Sequence, residues 1–272
     1  MKPQVLTSQP TTEGAGVRIR RAIGTQQLRN LDPFLLLDYF DSDRSADYLA
    51  GFPSHPHRGF ITFTYMLDGR MEHQDSMGHK GVIGPGDAQW MKAARGVIHS
   101  EMPSQIEGRM AGFQLWINLP SHLKLSDPDY QEVTAAQIPV IDAKGAKVKV
   151  VAGAYEETQG AVQDPVTDVC FWDVDLDPVA SFGASVDAGR VGFVFVYDGG
   201  LRVADQTLTK GQMAWGLVST TEVKAGAGGA RFIVVSGQPI GESIVQAGPF
   251  VMNSEQEIRQ AIVDYQRGRL TA

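Results

Sequence analysis

Cysteine is all but absent from this 272-residue chain: Cys170 is the only one. A lone thiol closes no internal disulfide, so the fold must hold without a covalent staple, and the sequence suits a reducing compartment. Positive charge is also short. Lys and Arg number 24 against 31 Asp and Glu, a formal charge of −7. Such a chain lacks the basic face that displaces counterions from phosphates, which argues against direct nucleic-acid binding. Long apolar runs are missing as well. PFLLL at 33–37 is among the longest and falls far short of a bilayer span. The opening MKPQVLTSQP has neither the apolar stretch nor the cleavage pattern of a secretory signal. Together these absences predict a soluble cytoplasmic protein without a membrane partner.

Punctuation, by contrast, is plentiful. Thirty glycines and fourteen prolines separate short runs rich in Val, Ile, Phe, Tyr and Thr. That texture predicts an all-β fold of sandwich or barrel type. Strands are expected at 59–67, 88–92, 110–118, 147–153, 191–197 and 231–236. Turns are expected at Asp68–Gly69, Pro85–Gly86–Asp87, Asp198–Gly199–Gly200 and Lys210–Gly211. One helix stands out in NSEQEIRQAIVDYQRGRL. Ser254 and Glu257 form a capping box, Ile258, Ala261, Ile262 and Tyr265 make an apolar stripe, and Gly268 offers a left-handed stop.

The chain also resembles itself. FTYMLDGRMEHQD (63–75) is similar to VFVYDGGLRVADQ (194–206), and GPGDAQWM (84–91) to TKGQMAWG (209–216). In each copy a strand runs into an Asp-Gly turn, and a later turn glycine precedes a tryptophan by four residues: Gly86 and Trp90, then Gly211 and Trp215. Two similar β domains are therefore expected, 1–135 and 136–272, joined through a surface linker near 125–145. All six histidines fall at or before His122, within the first copy. Aligning the copies places Ser185 and Asp187 opposite His55 and His57, and Lys224 and Gly226 opposite His99 and Glu101. Chemistry is expected in the first domain, with the second, lacking metal ligands, as scaffold.

In FPSHPHRGF (52–60), His55 and His57 stand at i and i+2. Such residues share one face of a strand, with Cα atoms roughly 6–7 Å apart, close enough to converge on one metal. RGVIHSEMP (95–103) repeats the spacing with His99 and Glu101. Two such pairs supply three nitrogens and one oxygen. That donor set suits Fe, Mn, Co, Ni, Cu or Zn without choosing among them.

HPHRGF followed by GVIHSEMP resembles the pirin family of the cupin superfamily. DPFLLLDYF, MLDGRMEHQDSMGH, GDAQWMKAARGVIHSEMP, LWINLP and GPFVMNSEQEIRQAIVDYQRG extend the likeness over nearly the whole chain. The resemblance implies two cupin-type β-barrels (double-stranded β-helices) with a short C-terminal helix. It implies one divalent metal, usually iron, in the N-terminal barrel alone, held by His55, His57, His99 and Glu101. It further implies an iron-dependent dioxygenase of quercetinase type, opening a small aromatic, flavonol-like substrate with dioxygen. Glu101 would then be the catalytic proton acceptor. A second reading is a non-enzymatic, metal-dependent regulatory protein that acts through a protein partner. A metal-free scaffold is a third.

One position departs from the family pattern: many relatives carry Glu where this chain has Ile61. If the strand runs on without a bulge, Ile61 shares the face of His55 and His57. The remaining histidines read as bystanders. His73 and Asp75 are expected at a hairpin or rim, His79 in a solvated loop and His122 in a structural place near the linker. Arg58 could hold a carboxylate or a backbone carbonyl behind the histidine pair.

Overall fold

The computed structural model describes residues 2–164 and 166–272. It is built from strands, with one α-helix near the C-terminus among the described residues. Two compact units emerge, and each is discontinuous in sequence. The histidine-bearing unit comprises Pro10–Gly24, Phe34–Ala135 and Ile240–Ala272; the second comprises Met1–Gln9, Thr25–Pro33 and Ala136–Pro239. The continuous halves 1–135 and 136–272 thus differ from the compact units at both termini. Edge pairing accounts for the N-terminal difference. The strand Gln4–Thr7 pairs antiparallel with Gln212–Trp215, with Leu6 opposite Met213. A β-edge leaves backbone N–H and C=O groups unpaired, and any segment able to lie along it can satisfy them.

In the histidine-bearing unit, a seven-stranded antiparallel sheet places Phe60–Asp68 between Ala88–Lys92 and Met110–Asn118. A four-stranded sheet runs Phe52–His57, Val97–Pro103, Met71–Asp75, Lys80–Ile83. Phe52–His57 lies at the edge of that sheet. Its Pro53 and Pro56 are tolerated there because an edge strand need not donate to a ladder on both sides.

The second unit centres on a nine-stranded sheet. Val148, Val174, Val194, Leu201, Leu208 and Phe232 are among the side chains of its buried apolar cluster. Both units are cupin domains, and the internal repeat is a repeat of register. Phe63 lies opposite Trp90 in one unit, and Phe193 opposite Trp215 in the other. The Gly86 N–H donates to the Met66 carbonyl at 2.8 Å, as the Gly211 N–H does to Val196 at 2.8 Å. Both glycines have φ above +80°, which a side-chain-bearing residue rarely adopts.

The helix spans Glu255–Gln266. Ser254 Oγ accepts from the Glu257 N–H, and Glu257 reaches back to the Asn253 N–H. At the other end Gly268 has φ +64°, and the Arg269 N–H closes onto the Asp264 carbonyl, a Schellman stop. Ile258 and Ala261 of the stripe are buried with Phe250, Met252 and Leu270, whereas Ile262 and Tyr265 stay partly exposed.

This C-terminal segment is held by two buried cations, which explains the Arg58–Gly59 pair. Arg58 donates to the Asp264 carboxylate and to the carbonyls of Leu270 and Arg95. Lys124, 1% exposed, donates to the carbonyls of Gly59 and Val251 and to Asn118 Oδ1, all within 2.9 Å. Gly59, at φ +92°, lies so close to Val251 that a Cβ would sit 1.9 Å from its carbonyl oxygen.

Candidate metal centre

Strand register brings the histidine motifs together. Phe52–His57 pairs antiparallel with Val97–Pro103, setting His55 directly opposite His99 and His57 opposite Val97. The period-two alternation then turns His55, His57 and His99 to one side. Their ring centroids lie 4.4 to 4.9 Å apart. One nitrogen from each falls within 4.8 Å of the other two.

The donor chemistry fits a metal ion. His55 Nε2 and His57 Nε2 are 3.1 Å apart. Two imidazole nitrogens bound to one ion at about 2.0–2.1 Å, with an angle between right and tetrahedral, are roughly 2.8–3.4 Å apart. His55 Nδ1 lies 2.8 Å from the Pro53 carbonyl, which can only accept, so its proton sits on Nδ1 and the Nε2 lone pair is free. His99 Nε2 is buried and has no hydrogen-bond partner. Such an orphan is costly unless a ligand meets it. Burial pushes the pKa of all three imidazoles down, and the neighbouring histidines add to this at His57 and His99. Neutral imidazole is the form that binds metal.

Glu101 lies two residues beyond His99. A register shift separates the two, so Glu101 pairs with Phe52 rather than with the next residue in step. Its carboxyl lines the same cavity as His55 and His57, 5% exposed, and lies 3.2 Å from Thr64 Oγ1. Burial pushes it up to about 7, against the opposing effect of the Thr64 bond. The cluster of three nitrogens does not include it.

The cavity measures about 600 Å³. Ile19, Leu36, Phe40, Phe52 and Met71 supply apolar wall, and Trp116 stands edge-on to His57 at 5.1 Å. Polar groups are few: besides His55, His57 and Glu101, they include Thr64, Gln114 and the doubly bonded pair Arg21–Asp38, at 2.7 Å for each contact. A mainly apolar pocket with a few fixed polar groups suits a small aromatic molecule.

The structure bears on three sequence expectations here. Ile61 does not share the histidines' face. The strand breaks at Gly59 and restarts at Phe60. Phe60 then packs on His57 and Thr64 bonds Glu101, so alternation sends the fully buried Ile61 to the opposite face. His73 and Asp75 lie in a hairpin, as expected, formed by Met71–Asp75 and Lys80–Ile83, but at buried positions rather than at a rim. They are buried behind His99, with His73 Nδ1 3.4 Å from His99 Nδ1. His79 is in the loop between these two strands and half-exposed, as expected, and there it also bonds Asp75. The alternation Met71, His73, Asp75 after the Asp68–Gly69 turn was the available signal. His122 lies in a short 3-10 turn, Ser121–Leu123, away from the cluster.

Comparison with known proteins gives the family and agrees with the fold. The pirin family profile matches residues 16–117, and that of the pirin C-terminal cupin domain matches 171–271. A pirin-like protein of Caulobacter vibrioides is 47% identical over 270 residues, covering 98% of this chain and 97% of that protein. Human pirin is 38% identical over 273 residues, covering 96% and 91%. The crystal structure of a quercetin 2,3-dioxygenase from Acinetobacter baumannii superposes with a TM-score of 0.89 at 33% identity, covering 100% of this chain and 99% of that one. In sequence and in architecture, over nearly its full length, this chain belongs to the pirin family.

Proposed function

We propose that this protein is an iron-dependent dioxygenase of quercetinase type, acting on a flavonol-like aromatic substrate. The carrying observation is a cluster of three converging imidazoles, two of which, His55 and His57, line one cavity together with a buried carboxyl group and an aromatic wall. The likeness to a structure of a quercetin 2,3-dioxygenase supports the substrate class. His55, His57 and His99 would hold the metal, with Glu101 beside them as a fourth donor. A bound divalent metal supplies Lewis-acid activation of a substrate hydroxyl and a route for electrons to dioxygen.

The chain's own residues do the rest. Glu101, as carboxylate, accepts the hydroxyl proton. Thr64 holds that carboxyl in place and is itself 2.6 Å from Gln114 Oε1. Trp116 and the apolar wall keep water from the ring while it is opened by dioxygen. Oxygen-electrode assays of the iron-loaded protein with a panel of flavonols test the reading. Uptake matched to loss of the flavonol chromophore supports it. No uptake by protein shown to carry one iron per chain refutes it.

A further inference from the structure

His73 and Asp75 lie inside the histidine-bearing unit and have no part in the reaction described above. The strand Met71–Asp75 pairs with Val97–Pro103, setting Asp75 opposite His99 and His73 opposite Glu101. His73 is 1% exposed, and its Nδ1 is 3.4 Å from His99 Nδ1. On its far side His73 Nε2 is 3.1 Å from Asp75 Oδ2. Asp75 is itself fixed: Oδ1 accepts from the backbone N–H groups of Met77 and His79, and Oδ2 lies 3.0 Å from His79 Nδ1. Tyr130 stacks on both rings, at 5.1 Å from His73 and 4.4 Å from His79.

The hydrogen-bond roles run in one direction. Asp75 as a carboxylate only accepts, so His73 carries its proton on Nε2 and presents a bare Nδ1. That nitrogen can only accept, so His99 carries its proton on Nδ1. The lone pair of His99 is then on Nε2, the buried atom that has no other partner. Buried polar groups of this kind cost stability relative to apolar packing, so their presence calls for a task. We propose that His73, backed by Asp75, is a positioning residue that holds the His99 imidazole in the tautomer and orientation needed to bind the metal. The inference rests on the metal reading above.

Cobalt(II) binding to metal-free protein tests it, with dissociation constants from chelator competition and the visible cobalt spectrum as a second readout. His73→Leu is expected to weaken binding about 10–100-fold and to alter the spectrum. His73→Gln, whose amide accepts from His99 and donates to Asp75, should recover most of the affinity. Thermal unfolding of the metal-free proteins should place His73→Leu somewhat below wild type, because the His99 Nδ1–H loses its acceptor, and His73→Gln close to it; the altered cobalt spectrum of the still-folded His73→Leu then separates positioning from folding. Cobalt binding by His73→Leu with wild-type affinity and spectrum would overturn this inference and leave the metal reading standing. So would a lowered metal-free melting point with no recovery in His73→Gln. A wild type that binds no cobalt would overturn both.

Discussion

His55 Nε2 and His57 Nε2 stand 3.1 Å apart, the separation of two ligands on one ion. Both lie on the edge strand Phe52–His57, His55 directly opposite His99 and His57 opposite Val97.

Glu101→Gln keeps the size and burial of the side chain but cannot accept the substrate proton. The variant should retain more than half of its metal and lose about 10²–10⁴-fold in kcat. Metal analysis beside oxygen uptake checks both parts. Unchanged turnover would remove Glu101 as the base.

Lys124 carries a prediction about stability. Lys124→Met leaves the acceptors on Gly59, Asn118 and Val251 without their donor, and should cost about 3 kcal/mol in unfolding free energy. Burial lowers the Lys124 pKa from 10.5 to about 8. Between those values the unfolded chain binds more protons at this site than the folded one, so this residue's contribution to stability rises with pH. The cost of burying the ammonium is fully present below about pH 8 and is relieved toward 10.5. The margin of wild type over Lys124→Met should therefore widen from pH 8 to 10 in urea titrations. A margin that narrows would contradict the assignment.

Gly59→Ala places a Cβ against the Val251 carbonyl at a positive φ. The clash should displace the C-terminal segment and destabilise the protein by about 3 kcal/mol or more. Limited proteolysis should then cut first between residues 240 and 254. A wild-type digestion pattern would count against the anchoring role given to Arg58, Gly59 and Lys124.

The sequence carried the site further than it carried the chain's connections. The clustering of His55, His57 and His99 was legible because i, i+2 spacing on a strand is a local rule, and the confinement of histidine to one copy pointed the same way; Glu101 lies beyond a register shift and outside the cluster, though on the same cavity. The helix was legible from Ser254, Glu257 and Gly268, whose capping interactions span a few residues each. Strand Gln4–Thr7 gave no such sign, since its partner lies some two hundred residues away. For Ile61 the condition of an unbulged strand is not met, because one positive φ at Gly59 resets the alternation. His73 and Asp75 looked peripheral because they follow a turn, yet register folds them directly behind His99.

The most direct test is elemental analysis of protein purified without added metal, beside His57→Ala. The account predicts close to one transition-metal ion per chain, with iron foremost, and less than about a tenth of that in the variant, since one of three nitrogen ligands is gone. Equal metal content in the two proteins, or none in the wild type even after reconstitution, would contradict it.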